Sequence, residues 1–136
     1  MDDEGHALPI RVYYEDTDFS GFVYHASYLR FMERGRTELL RALAGNQMDL
    51  HRDAEGLVFV VRRMTLDFIR PAVMDDQLTV VTRTRDLRGA SMTLAQEVRR
   101  GTDVLVSADV TVACVRDGRA TRLPDSLRAK LTPPPV

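Results

Sequence analysis

The sequence predicts an α+β domain in which a five-stranded antiparallel sheet wraps around one long central helix. Three observations point to it. One extended stretch, from about Ser27 to Leu43, has helical periodicity. A strand-like run precedes it, and four long alternating segments separated by turn residues follow it. The helix carries apolar residues over more than a narrow stripe, so it needs cover on several sides, and a long curved sheet supplies that cover by closing round it.

At 136 residues the chain reads as a single domain, 1–136, able to bury a core without staples. Hydrophobic residues at 44% and charged residues at 29% fit an ordinary globular protein. A net charge of −1 gives no general attraction to nucleic acid or to an anionic membrane surface. The single cysteine, Cys114, excludes an intrachain disulfide and any multi-cysteine metal site, and its place on an apolar strand face makes it an inert core thiol. No segment has the length of a membrane span, and the acidic start MDDEGHALP is not a signal peptide. The expected compartment is the cytoplasm.

Met1 to Leu8 reads as a loose tail, with Pro9 at the entry to a first strand, Ile10 to Tyr14. Ser27 is the expected N-cap of the helix, and Tyr28, Phe31, Met32, Leu39, Leu40 and Leu43 form its apolar side. Gly35 lowers helix propensity inside this pattern, which suggests that another backbone comes close there. Gly45 and Asn46 supply the stop, and His51 to Gly56 a polar connector. In the second strand, Leu57 to Ile69, one face takes Val58, Val60, Met64, Leu66 and Phe68, with Arg62 interrupting it. Phe59, Val61 and Ile69 make parts of the other face apolar, a hint of a second buried surface. Strands follow over Gln77 to Asp86, Ser91 to Arg100 and Val104 to Arg116; the last points Val104, Val106, Ala108, Val110, Val112 and Cys114 one way. The segment from about 125 to 136, ending in TPPPV, is expected to be loose.

Between the first strand and the helix lies an acidic cluster, Glu15, Asp16 and Asp18, followed by Gly21 and His25. Four chemistries compete for it. A calcium loop fits Asp16, Asp18 and Ser20, but its last position would be Ser27, which cannot supply a bidentate carboxylate. Phosphoryl transfer on an Asp-x-Asp strand end usually needs a parallel sheet, which this order of elements does not give. Asp16 or Asp18 could simply cap a turn. The remaining reading is a carboxylate before a helix start acting as base or nucleophile, with helix N–H groups receiving an oxyanion and His25 as donor or proton carrier.

The segment R-V-x-Y-x-D-T-D-x-x-G-x-V-Y-H-x-x-Y-L-x-x-x-E, Arg11 to Glu33, resembles the active-site signature of the 4-hydroxybenzoyl-CoA thioesterase family, and most of all its Tol-Pal-associated acyl-CoA thioesterases. The similarity continues through Phe59–Met64, Arg70–Ala72 and Leu87–Ser91. It implies the hot-dog fold, the same sheet round a central helix, in subunits that pair into dimers or tetramers with sites at their interfaces. It implies hydrolysis of an acyl-CoA thioester to free acid and CoA, with no cofactor and no metal. The family's catalytic aspartate falls on Asp18, as nucleophile or general base. His25 matches the histidine-bearing branch, which favours short- to medium-chain aliphatic acyl groups. Backbone N–H groups near Val23 and Tyr24 are the expected oxyanion hole. Tyr14, Phe19, Gly21 and Ser91 are candidate substrate contacts, and Arg62, Arg63 and Arg88 candidates for the coenzyme A phosphates. A non-hydrolytic module binding acyl-CoA or an acyl-carrier protein is the alternative.

Overall fold

The computed structural model describes residues 5–44 and 56–132. The predicted helix stop at Gly45 and Asn46, and most of the connector from His51, lie outside the described residues.

The elements run β1 (His6–Arg11), a 3-10 turn (Tyr14–Asp16), α1 (His25–Ala44), β2 (Val58–Phe68), β3 (Gln77–Leu87), β4 (Ser91–Arg100), β5 (Asp103–Arg116), β6 (Arg119–Ala120) and α2 (Asp125–Leu131). The five long strands form one antiparallel sheet in the order β1-β3-β4-β5-β2, and the short β6 adds to β5. The fold is the predicted α+β hot-dog architecture. On α1, Tyr28, Phe31, Met32, Leu39 and Leu40 are buried against inward residues of the sheet, among them Val80, Leu94, Val98, Val106 and Val110. Gly35 meets side chains of the sheet rather than its backbone. A Cβ there would stand 2.7 Å from Val80 Cγ1 and 2.9 Å from Thr82 Oγ1. Beside it the fully buried Gln96 donates to the Met32 carbonyl (2.9 Å) and to Thr82 Oγ1 (2.8 Å), joining helix to sheet. Burying an amide is tolerable only when its groups are satisfied in this way.

Both expected tails are shorter than the sequence suggests. His6, Ala7 and Leu8 pair with Thr82, Val81 and Val80, so β1 starts before Pro9 and ends at Arg11. Pro9 sits inside it, which an edge strand permits because one side of its backbone has no ladder to complete. At the other end Asp125–Leu131 is helical, because Leu123, Leu127 and Leu131 recur every fourth residue and bury one face. Arg128 fastens α2 by donating to the carbonyls of Arg88 (2.6 Å) and Gly89 (2.9 Å).

The expected inner face of β2 is also corrected. Phe59 pairs with Cys114 and Val61 with Val112, so both point toward α1, whereas Val58 and Val60 point away. The register shifts between Val61 and Arg63, after which Met64, Leu66 and Phe68 pair with Val110, Ala108 and Val106. Arg62 is therefore the extra residue of a β-bulge, which changes which parity faces inward.

Candidate active site

The chain leaves β1 and is pinned by Val12, whose N–H donates to the Asp76 carbonyl (2.9 Å). Asp16 then builds the 3-10 turn. Its buried carboxylate accepts the Tyr13 N–H (2.8 Å), and its carbonyl accepts the Tyr24 N–H (2.9 Å). Next comes a tight loop, with Asp18 N–H to the Phe22 carbonyl (3.1 Å) and Gly21 N–H to the Asp18 carbonyl (3.0 Å). Gly21 has φ +85°, a conformation that disfavours side chains, so its evident role is to turn the chain. Val23 returns inward, and α1 begins at His25, two residues before the predicted start. Ser27 is thus not the cap but a buried residue of the first turn, its N–H bonded to the Tyr24 carbonyl (2.8 Å).

This loop leaves the Asp18 carboxylate exposed. Oδ1 accepts the Ser20 hydroxyl and the Ser20 N–H (2.8 Å). Those two bonds, led by the hydroxyl and joined by the charge of His25, hold the Asp18 carboxyl below the usual carboxylate range. The Asp18 side chain therefore caps its own loop and remains an available anion. His25 is exposed at the helix start, its ring 4.4 Å from that of Tyr24 and 6.4 Å from that of Phe68. Val23, His25, Tyr28, Phe68, Ile69 and the Arg70–Pro71 step line a depression of about 260 Å³.

The expected oxyanion donors do not stand open. Val23 N–H is bonded to the Ala72 carbonyl (2.9 Å) and Tyr24 N–H to the Asp16 carbonyl (2.9 Å). The next two N–H groups, of His25 and Ala26, open α1 and have no acceptor among the described residues. They are the orphan donors that every helix start presents. Sequence reasoning named two donors that a long-range and a loop carbonyl already engage. It also passed over Ala72 and Phe68. Ala72 accepts from Val23 and donates its own N–H to the buried Tyr28 hydroxyl (3.1 Å), so Tyr28, expected only to pack, also holds the Pro71–Ala72 segment against the helix start.

The other expected contacts are scattered within one chain. Tyr14 and Phe19 flank the loop and are exposed, Phe19 fully. Ser91 pairs with Ala113 and Val58 with Val115, so Ser91 lies near the Val58 end of the sheet, whereas His25 packs at the Phe68 end of β2. Arg62 and Arg63 are exposed in mid-β2, and Arg88 is exposed beside Asp86 (3.3 Å). The chain brings Asp18 and His25 together but not Ser91 or these arginines.

Comparison with known proteins places this geometry. Residues 20–107 match the sequence model of the family described as "Thioesterase superfamily", a match that begins just after Asp18. The chain belongs to the thioesterase superfamily. It is thus a thioester hydrolase by family. It is 45% identical over 119 residues to the Haemophilus influenzae "Acyl-CoA thioesterase YbgC", covering 88% of this chain and 87% of that one. It is 31% identical over 113 residues to the Escherichia coli "Long-chain acyl-CoA thioesterase FadM", covering 80% and 83%. Among solved structures, a probable thioesterase from Bartonella henselae superposes with a TM-score of 0.84 at 47% identity, covering 88% of this chain and 98% of that one. A Thermus thermophilus thioesterase complexed with coenzyme A and Zn superposes with a TM-score of 0.80 at 25% identity, covering 92% and 90%.

Proposed function

We propose that this chain is an acyl-CoA thioesterase that releases a free acid and coenzyme A, with Asp18 as nucleophile or general base. The observation that carries the reading is at the start of α1: an exposed, stabilised carboxylate on the loop leading into a helix whose first two N–H groups have no acceptor among the described residues. In the general-base route Asp18 takes a proton from water while the water oxygen attacks the thioester carbonyl. In the nucleophilic route an Asp18 oxygen attacks, and water then hydrolyses the mixed anhydride. In both, negative charge on the carbonyl oxygen is received by the N–H groups of His25 and Ala26. Collapse expels the CoA thiolate, which needs little help because a thiol has a pKa of about 8.5, and the His25 side chain is placed to supply the proton. The small apolar depression beside His25 favours short- to medium-chain aliphatic acyl groups, and the expected compartment is the cytoplasm.

The working unit is an antiparallel homodimer joined along β2, or a tetramer of two such pairs. β2 is an edge strand, yet Val60 (45% exposed), Phe68 (52%) and, just beyond it, Ile69 (55%) leave that edge apolar, a combination that proteins rarely leave bare. Two copies of β2 running antiparallel bring the Val58 end of one, with its Arg88 and Ser91, toward the His25 end of the other. That would assemble the contacts that a single chain keeps apart, with the arginines available for CoA phosphates.

Thiol release by the purified protein, measured across short, medium, long and aromatic acyl-CoAs, tests the reading. Saturable hydrolysis of the shorter aliphatic members is expected. Binding without release of free CoA from any of them would instead identify a non-hydrolytic module for acyl-CoA or an acyl-carrier protein.

A further inference from the structure

The His25 imidazole stands exposed at the start of α1, and its ring makes no hydrogen bond or ion pair among the described residues. A histidine that moves protons is ordinarily held by a hydrogen bond to its second ring nitrogen, which fixes tautomer and direction. Here aromatic rings take that place. The Tyr24 ring lies 4.4 Å from the imidazole, centroid to centroid, tilted by 51°, and the Phe68 ring meets it at 6.4 Å and 81°. Phe68 in turn packs on Tyr28 (5.9 Å), and Tyr28 on Phe31 (6.0 Å), which is buried in the core. A chain of ring contacts thus runs from the core to the imidazole.

Each ring in that chain has a fixed base. Tyr24 donates its N–H to the Asp16 carbonyl (2.9 Å), and Phe68 pairs with Val106 at the end of β2. The Tyr28 hydroxyl accepts the Ala72 N–H (3.1 Å). Tyr24 and Phe68 are both exposed, so neither is needed to fill the core, and the Tyr24 hydroxyl makes no hydrogen bond among the described residues. What the two side chains have in common is contact with His25. We propose that Tyr24 and Phe68 are positioning residues that act through His25, their rings holding the imidazole in the orientation from which it protonates the departing thiolate. As the C–S bond breaks, its electron pair leaves on sulfur and the imidazolium N–H proton passes to that sulfur; the imidazole then recovers a proton from solvent. This inference rests on the thioesterase reading given above.

The test is a mutant cycle read by thiol release from the acyl-CoA that the wild type hydrolyses best. In Phe68→Leu and in Tyr24→Leu, kcat should fall about three- to tenfold, the scale of one aromatic contact, with KM little changed. Tyr24→Phe, which keeps the ring, should retain most of kcat. In a His25→Gln background Phe68→Leu should cost nothing further, because the group it positions is gone. Should Phe68→Leu fail to fold, or His25→Gln release too little thiol to measure, the contrast between Tyr24→Phe and Tyr24→Leu decides. Losses confined to KM, a His25→Gln variant as active as wild type, a Phe68→Leu loss undiminished in the His25→Gln background, or equal losses in Tyr24→Phe and Tyr24→Leu overturn the inference and leave the thioesterase reading standing. No thiol release by the wild type from any acyl-CoA overturns both.

Discussion

The Asp18 carboxylate accepts two bonds from Ser20, and they act in the same direction as the charge of His25 on its titration. A base or nucleophile must be ionised, so activity is lost as the pH falls through the Asp18 pKa, which these bonds hold low. Ser20→Ala removes the hydroxyl, the largest of these effects. The acid limb of kcat/KM should therefore move to higher pH, and an unmoved limb would mean that another group controls it. Asp16, two residues earlier, has a different job, because its carboxylate is turned inward to the Tyr13 N–H. Asp18 and His25 were legible in the sequence as candidates: their spacing left a turn cap open, and the family resemblance singled them out. The N–H groups left open at the start of α1 were not. Which N–H groups remain open depends on the Ala72 carbonyl, about fifty residues away in sequence, and no local pattern reveals that partner.

At the scale of elements, the β2–β3 turn braces the helix start. Ala72 bonds to both Val23 and Tyr28, while Asp76 accepts the Val73 N–H (3.0 Å) and pairs with Arg100 (2.8 Å). Burial works to raise the Asp76 carboxyl, but the Val73 N–H and Arg100 outweigh it and hold its pKa below the ordinary 3.8. A depressed carboxylate stabilises the fold above its unfolded-state pKa and loses that contribution as pH falls through the folded value. Asp76→Asn should then be less stable than wild type at neutral pH, by about 1 kcal/mol because Arg100 is partly exposed to solvent. The gap should begin to narrow below about pH 3.8 and close as the pH falls through the lower folded-state value. Denaturant melts of both proteins at pH 7 and pH 3 check this, and a gap independent of pH would refute it. The strands of the second half were readable because their alternation is long and regular, Val104 to Cys114 above all. In β2 the same alternation misled. A bulge at Arg62 shifts the parity midway, and an apolar residue on both sides of the bulge gives the sequence two equally good faces. The short α2 had a signal, Leu123, Leu127 and Leu131 at every fourth residue, but the proline-rich end beyond it suggested looseness.

For the whole molecule, the sheet wrapped round α1 followed from the element order alone. The exposure of the β2 edge did not, because an exposed apolar edge looks the same as a core strand in sequence. The β2 pairing predicts a specific dependence. Val60→Lys sets a charge on the outward face of that edge and should shift the protein toward monomer in light scattering, with thiol release falling alongside. A variant that stays associated and fully active would place the interface elsewhere. The central claim, that Asp18 drives thioester cleavage at the start of α1, is tested most directly by kcat for CoA release in Asp18→Asn, beside a check that its fold and association state are those of wild type. The account predicts a loss of at least about a hundredfold, the scale of a general base or nucleophile removed. Turnover within a few-fold of wild type in a properly folded Asp18→Asn would contradict it and leave Asp18 as the cap of its own turn.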